Sequence, residues 1–283
     1  MKKTILIPAV VATLSMTGLT IVPAAVTSAH SVHHAKHVKR VTTKMKEQHI
    51  YLTVTPGMKL GPDGKLHDAF SPANFTLVEG VPAKITIYNY DNMKHSVTSS
   101  ALGINFQANP SKKNGAPGVV TYSFTPKKDG TFTWQCIDPC DMPNKQWSMS
   151  HKGYMEGTIK VVPPSKAVQD ITLTVMPGGK LGPDGKLHDA FSPANFTVEK
   201  GVPVHLTIYN YDNMKHSVTS SALGINFVGK PSKKNGAAGV AHYTFTPKKD
   251  GNYSWQCIYP CDMPNHQWSM SHKGFMEGTV HVE

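Results

Sequence analysis

From residue 50 onward, apolar and polar positions alternate with period two. Phe132, Trp134 and Cys136 share one parity while Thr131, Thr133 and Gln135 share the other, the signature of a half-buried strand. Val120, Tyr122 and Phe124 repeat the pattern, as do Ile85 and Ile87 within 83–89. Turn-forming clusters separate the runs: Gly61-Pro62-Asp63-Gly64, Glu79-Gly80-Val81-Pro82 and Lys128-Asp129-Gly130. No stretch carries a long helical period, so the spacing predicts an all-β chain built as an antiparallel sandwich. In 155–161, Met155, Gly157, Ile159 and Val161 fall on one face, taken as the inward one, and Cys136 has inward parity at the end of the preceding strand. The two sulfurs are therefore expected at one end of the sandwich. His151 lies four residues before Met155 on the joining loop and is expected to converge on the same point.

The pattern is written twice. Residues 50–162 align with 171–283 at a constant offset of 121 without gaps, and 25 of the 113 aligned positions differ. A period this long is too great for a solenoid, and each copy is large enough to fold alone. The expected organisation is a domain at 49–162, a linker at 163–170 and a second domain at 171–283. Pro163 and Pro164 make that linker an extended spacer, holding the domains apart but close.

Composition adds a compartment. Lys2 and Lys3 precede an apolar run from Thr4 to Val26, and Thr27-Ser28-Ala29 offers a small-residue cleavage site, so 1–29 reads as a secretory signal. Export to a secreted or periplasmic location follows, with no transmembrane segment in the mature chain. Residues 30–48, with His30, His33, His34 and His37 among lysines, read as a flexible arm. The net charge of +11 falls to about +9 without Lys2 and Lys3, basic but below a nucleic-acid-binding balance. Outside the cytoplasm a close cysteine pair has two fates, a disulfide or a metal site.

The candidate chemistry lies in Trp134–Gly157, WQCIDPCDMPNKQWSMSHKGYMEG, which returns almost unchanged at 255–278, and in Asn89–Val97, where His95 opens an apparent strand behind a polar turn. From Ala69-Phe70-Ser71-Pro72 through the last strand, each repeat resembles the cupredoxin family of small copper-binding β-sandwiches. That resemblance implies a Greek-key sandwich with copper at one pole. The family's upstream histidine matches His95, its cysteine Cys136, its loop histidine His151 and its axial methionine Met155. In the second copy the matches are His216, Cys257, His272 and Met276. The H-x3-M-x-G ending looks like that of the azurins. Cys136-x3-Cys140, repeated as Cys257-x3-Cys261 and preceded by glutamine, is similar to the copper-A centre of cytochrome oxidase subunit II and nitrous oxide reductase, where two thiolates bridge two coppers. There the residue midway between the cysteines gives only its carbonyl, which would tolerate Asp138 becoming Tyr259. The chain departs from both patterns in loop length, with 14 residues between Cys136 and His151 and ten between Cys140 and His151.

Two imidazoles and a thiolate with a distant thioether suit one-electron transfer at copper. The sequence supports an exported electron carrier with one copper centre per domain and a redox partner protein. Its alternatives are a copper-binding or storage module without redox duty, and a metal-free interaction protein with disulfides Cys136–Cys140 and Cys257–Cys261. An enzyme is not expected, because neither repeat carries the paired H-x-H motifs of multicopper oxidases.

Overall fold

The computed structural model describes residues 45–283; the signal at 1–29 and most of the 30–48 arm lie outside the described residues. The first repeat contains β1 (Gln48–Leu60), β2 (Leu66–Ser71), β3 (Asn74–Val78), β4 (Ala83–Asn89), β5 (His95–Ser99), β6 (Ile104–Ala108), β7 (Gly118–Phe124), β8 (Gly130–Gln135) and β9 (Glu156–Val162). These form a four-stranded sheet, β2-β1-β4-β7, facing a five-stranded sheet, β3-β9-β8-β5-β6. Connections that pass back and forth between the sheets make this a Greek-key, cupredoxin-like sandwich. The second repeat builds the same pair from β10 (Gln169–Leu181) through β18 (Glu277–Val282). Among the described residues the only helices are short 3-10 turns.

Parity explains the faces. Along β4 every second residue is fully buried, and along β9 Gly157, Ile159 and Val161 face inward while Lys160 faces out. Leu52, Val54, Leu77, Ile85, Ile87, Val97 and Ile159 are completely buried in the first core. Each such side chain contributes about 1.5–3 kcal/mol relative to exposure. The sandwich is mixed, not purely antiparallel as expected, because β1 pairs with β4 and β3 with β9 in parallel. Period-two patterning assigns a strand's faces but not its neighbour's direction.

One glycine is fixed by this packing. A Cβ on Gly157 would stand 1.9 Å from the Ala73 carbonyl oxygen, the same oxygen that accepts a 2.8 Å bond from Trp134 Nε1. That contact pins β8 and β9 to the β2–β3 junction, just where Cys136 leaves the sheet.

The two repeats are not held apart by their linker. Thr174 Oγ1 bonds Ser71 Oγ at 2.9 Å, Thr53 Oγ1 bonds Ser192 Oγ at 3.0 Å, and the Tyr51 hydroxyl accepts the Thr197 N–H at 2.9 Å. Farther out, each repeat hooks the other: Leu60 N–H donates to the Gly236 carbonyl at 2.8 Å and Leu181 N–H to the Gly115 carbonyl at 2.9 Å. Gly115 and Gly236 have φ of +78° and +77°, and a Cβ at either would strike the sibling repeat's Leu187 or Leu66. The end of the expected flexible arm is docked as well. Met45 is buried with Val78, Val81, Val162 and Val202, and the N–H groups of Lys46 and Glu47 both donate to the buried Glu199 carboxylate.

Candidate metal centres

Because β8 lies between β9 and β5 and runs antiparallel to both, the end of β8 and the starts of β5 and β9 meet at one pole. Cys136, just past β8, donates its N–H to the Met155 carbonyl at 2.7 Å. His95 opens β5 and is fully buried. Its Nδ1 lies 4.0 Å from Cys136 Sγ, and Cys140 Sγ lies 3.7 Å from that same sulfur. The ligating atoms of His95, Cys136 and Cys140 all fall within 4.8 Å of one another, as do those of His216, Cys257 and Cys261.

Surrounding groups aim this trio. Asp91 Oδ2 stands 2.7 Å from His95 Nε2, so that nitrogen carries its proton to the carboxylate and Nδ1 is turned to the sulfurs. The Ser96 N–H donates to Cys136 Sγ at 3.4 Å, and Ser96 Oγ accepts the Ile137 N–H at 3.0 Å. In the second repeat Asp212, Ser217 and Ile258 repeat these bonds at 2.7, 3.4 and 3.1 Å. The carbonyl between the cysteines also faces the sulfurs, with Asp138 O 3.4 Å from Cys136 Sγ and Tyr259 O 2.9 Å from Cys261 Sγ.

The electrostatics follow. The Cys140 thiol donates to Cys136 and, with His95 beside it, overcomes burial to bring Cys136 down to about 5, while Cys140 itself is driven upward by that donation and by burial. Burial pulls His95 down, but Asp91 and Cys136 outweigh it and raise the imidazole to about 9. The second repeat behaves alike, with Cys257 brought to about 4 and His216 to about 9.

The long loop between Cys140 and Met155 folds around Asp141, a buried residue in the left-handed region with φ +55°. Asp141 Oδ2 accepts from His67 Nδ1 at 2.7 Å and from the Ser148 N–H at 3.0 Å, Oδ1 accepts from Asn144 at 2.7 Å, and its own N–H donates to Asp68 at 2.7 Å. Trp147 is stacked between the His67 and His151 rings, at centroid distances of 4.0 and 3.5 Å.

The sequence-derived site residues divide accordingly. His95, Cys136 and Cys140 come together, and Met155 is completely buried in the same core cluster as both cysteines. His151 joins no such ligand group among the described residues; it is half-buried, and its Nδ1 donates to the Trp147 carbonyl at 2.6 Å. In the second repeat His216, Cys257 and Cys261 cluster, Met276 is buried with them, and His272 stacks on Trp268 with Nδ1 bonded to that residue's carbonyl at 2.6 Å. Sequence reasoning missed Asp91 and His67. A D-x3-H spacing, Asp63/His67 and Asp91/His95, was the available signal, and both pairs close at 2.9 and 2.7 Å.

The donor set fits copper. His216 Nδ1 is buried without a hydrogen-bond partner among the described residues, while its Nε2 is held by Asp212. An unsatisfied imidazole nitrogen beside two sulfurs is the arrangement a soft or borderline metal completes.

No family model matches the chain, and no curated protein matches it in sequence. Among solved structures it is similar to a copper-containing nitrite reductase from Thermus scotoductus, at 16% identity and a TM-score of 0.29, covering 84% of this chain and 62% of that one. The chain thus spans less than two thirds of that enzyme. A blue copper oxidase from Nitrosomonas europaea is similar at 14% identity and a TM-score of 0.29, covering 84% and 86% of the two chains. A copper nitrite reductase from the same organism gives 13%, 0.32, and 84% and 94%. All three names are those of copper enzymes, so the expectation that this chain is not an enzyme is withdrawn: lacking H-x-H motifs does not exclude catalysis. Likeness at this level assigns no activity.

Proposed function

We propose that each repeat holds a copper centre through His95, Cys136 and Cys140 and through His216, Cys257 and Cys261, and that the chain is an exported electron carrier. The observation that carries this reading is the convergence of a buried imidazole nitrogen and two sulfurs at each pole, with one such nitrogen left without any other partner. Bound copper would supply a one-electron couple. The chain's part is to keep the donors in place. Asp91 and Asp212 fix the imidazoles, backbone N–H groups orient the thiolates, and the Asp141-centred loop closes the pole from solvent. Met155 and Met276, buried in the same clusters as the cysteines, would supply thioether donors. His151 and His272 would have to ligate through Nε2, because each Nδ1 is bonded to a carbonyl. Exposed Ile137 and Met142, close to the cysteines in sequence, offer an apolar face to a redox partner.

The disulfide alternative is less well supported. The four cysteines are free, with sulfurs 3.7 and 3.1 Å apart, whereas a disulfide needs about 2.05 Å. Among the described residues no helix is long and apolar enough to cross a membrane.

Copper loading of the purified protein, followed by visible absorption and electron paramagnetic resonance, tests the proposal. Intense thiolate-to-copper absorption is expected. A colourless oxidised protein with full copper occupancy would overturn it. Four hyperfine lines would mean one copper per centre, and seven lines a mixed-valence pair.

A further inference from the structure

Where β18 ends, at the opposite end of the second sandwich from Cys257, another set of ligating atoms comes together from distant parts of the chain. His49 Nε2 lies 3.3 Å from Glu283 Oε1 and 3.5 Å from Glu47 Oε2. The ligating atoms of all three residues fall within 4.8 Å of one another. His281 Nε2 approaches the other oxygen of Glu283 at 3.8 Å. Its Nδ1 lies 2.6 Å from the Asn252 side-chain oxygen. An amide oxygen only accepts, so Nδ1 carries a proton and Nε2 is the nitrogen turned toward Glu283. That is how outer-shell partners orient a metal-binding imidazole. His49 is steadied by stacking on Tyr51 at 6.4 Å.

We propose that Glu47, His49 and Glu283, with His281 as a fourth donor, form a binding site for a borderline divalent cation, zinc being the best match. Imidazole and carboxylate are zinc ligands, and without sulfur the set does not favour Cu(I), which separates it chemically from the cysteine centres. In the metal-free protein Lys84 Nζ sits 2.8 Å from Glu47 Oε2 and partly neutralises the carboxylates. The Lys84 side chain is 47% exposed, so it can turn to solvent when a cation takes its place.

The repeat shows that this cluster is not inherited from the duplicated fold. Asn252, His281 and Glu283 stand where the first copy has Thr131, Lys160 and Val162, and Glu47 and His49 correspond to Val168 and Asp170. Only the assembled pair of repeats creates the site. Two of its ligands belong to the segment entering β1 and two to the end of β18, so a bound cation would fasten the first strand to the last.

Calorimetric titration of copper-loaded protein with zinc chloride tests this, with thermal melting in parallel. One equivalent of zinc per chain and a raised Tm are expected. His49→Ala and Glu283→Gln should weaken binding by at least the roughly 10–100-fold that loss of an outer-shell partner costs, whereas Lys84→Met should tighten it. Should a variant misfold, Co(II) added to unaltered metal-free protein still decides. An equivalent with weak ligand-field bands and no thiolate charge transfer supports the site, whether or not the cysteine centres take copper. No zinc uptake beyond the copper, equal affinity in all variants, or cobalt bound only with intense thiolate bands would overturn it.

Discussion

The two cysteine poles have the same scaffold and different interiors. Asp91, Ser96 and Asp141 in the first repeat and Asp212, Ser217 and Asp262 in the second make matching bonds to within 0.1 Å. Yet the sulfurs are 3.7 Å apart in one and 3.1 Å in the other. The residue between the cysteines is Asp138, whose Oδ2 is buried without a partner among the described residues, in one repeat and Tyr259, packed against the core, in the other. What stays fixed is the shell that aims the donors. What varies is a side chain whose carbonyl alone faces the sulfurs.

The largest expected effect tests that shell. Asp141→Ala strands the buried His67 Nδ1 and the Ser148 N–H, and Asp262→Ala does the same to His188 and Ser269. Breaking such a buried pair costs about 3–5 kcal/mol, read as a lowered denaturation midpoint. Equal losses are expected from the two variants; a marked inequality would mean that one loop is held by something else.

A pH profile comes next in size. Cys136 and Cys257 are lowered from 9.0 to about 5 and about 4, so each contribution is complete above pH 9 and is lost as pH falls toward the folded value. His95 and His216 are raised from 6.5 to about 9, so theirs is complete below pH 6.5 and is lost as pH rises toward 9. Between pH 6.5 and 9 the opposing slopes cancel. The contribution of these pairs to metal-free stability should therefore climb from about pH 4 to 6.5 and then stay level. Thermal melts across that range check it, and Cys257→Ser should remove more of the climb than Cys136→Ser.

The smallest effect sharpens the difference between the interiors. Replacing the Asp138 carboxylate by Asp138→Tyr removes a negative charge that favours oxidised metal, so the first centre's potential should rise. An effect on the order of 1 kcal/mol amounts to a few tens of millivolts for one electron. Redox titration of copper-loaded protein should show the first wave moving toward the second, with Tyr259→Asp moving the second wave downward.

Much of this was legible in the chain. Inward parity at Cys136 and Met155 placed both sulfurs at one pole, and the offset of 121 foretold the matching cluster of His216, Cys257 and Cys261. The rest depends on contacts that periodicity does not carry. Parallel pairing of β1 with β4 leaves alternation unchanged, so it left no trace. The direct repeat contact is hidden because Tyr51 and Thr53 look like ordinary strand residues. His151 matches its motif by spacing, but a backbone carbonyl in its own loop engages the nitrogen nearest to hand. Met45 and Gln48 close a lysine-rich stretch that reads as a tail, and only the Val78–Val202 crevice shows why they pack.

The reciprocal hooks at Gly115 and Gly236 are grasped by hairpins of nearly identical sequence, so nothing in the hooks themselves distinguishes a sibling repeat from the same element of another molecule. Fidelity of pairing then falls to the tether at 163–170. By holding the siblings at a high effective concentration, it favours closure within one chain over exchange between chains; a longer tether would favour entangled dimers as protein concentration increases.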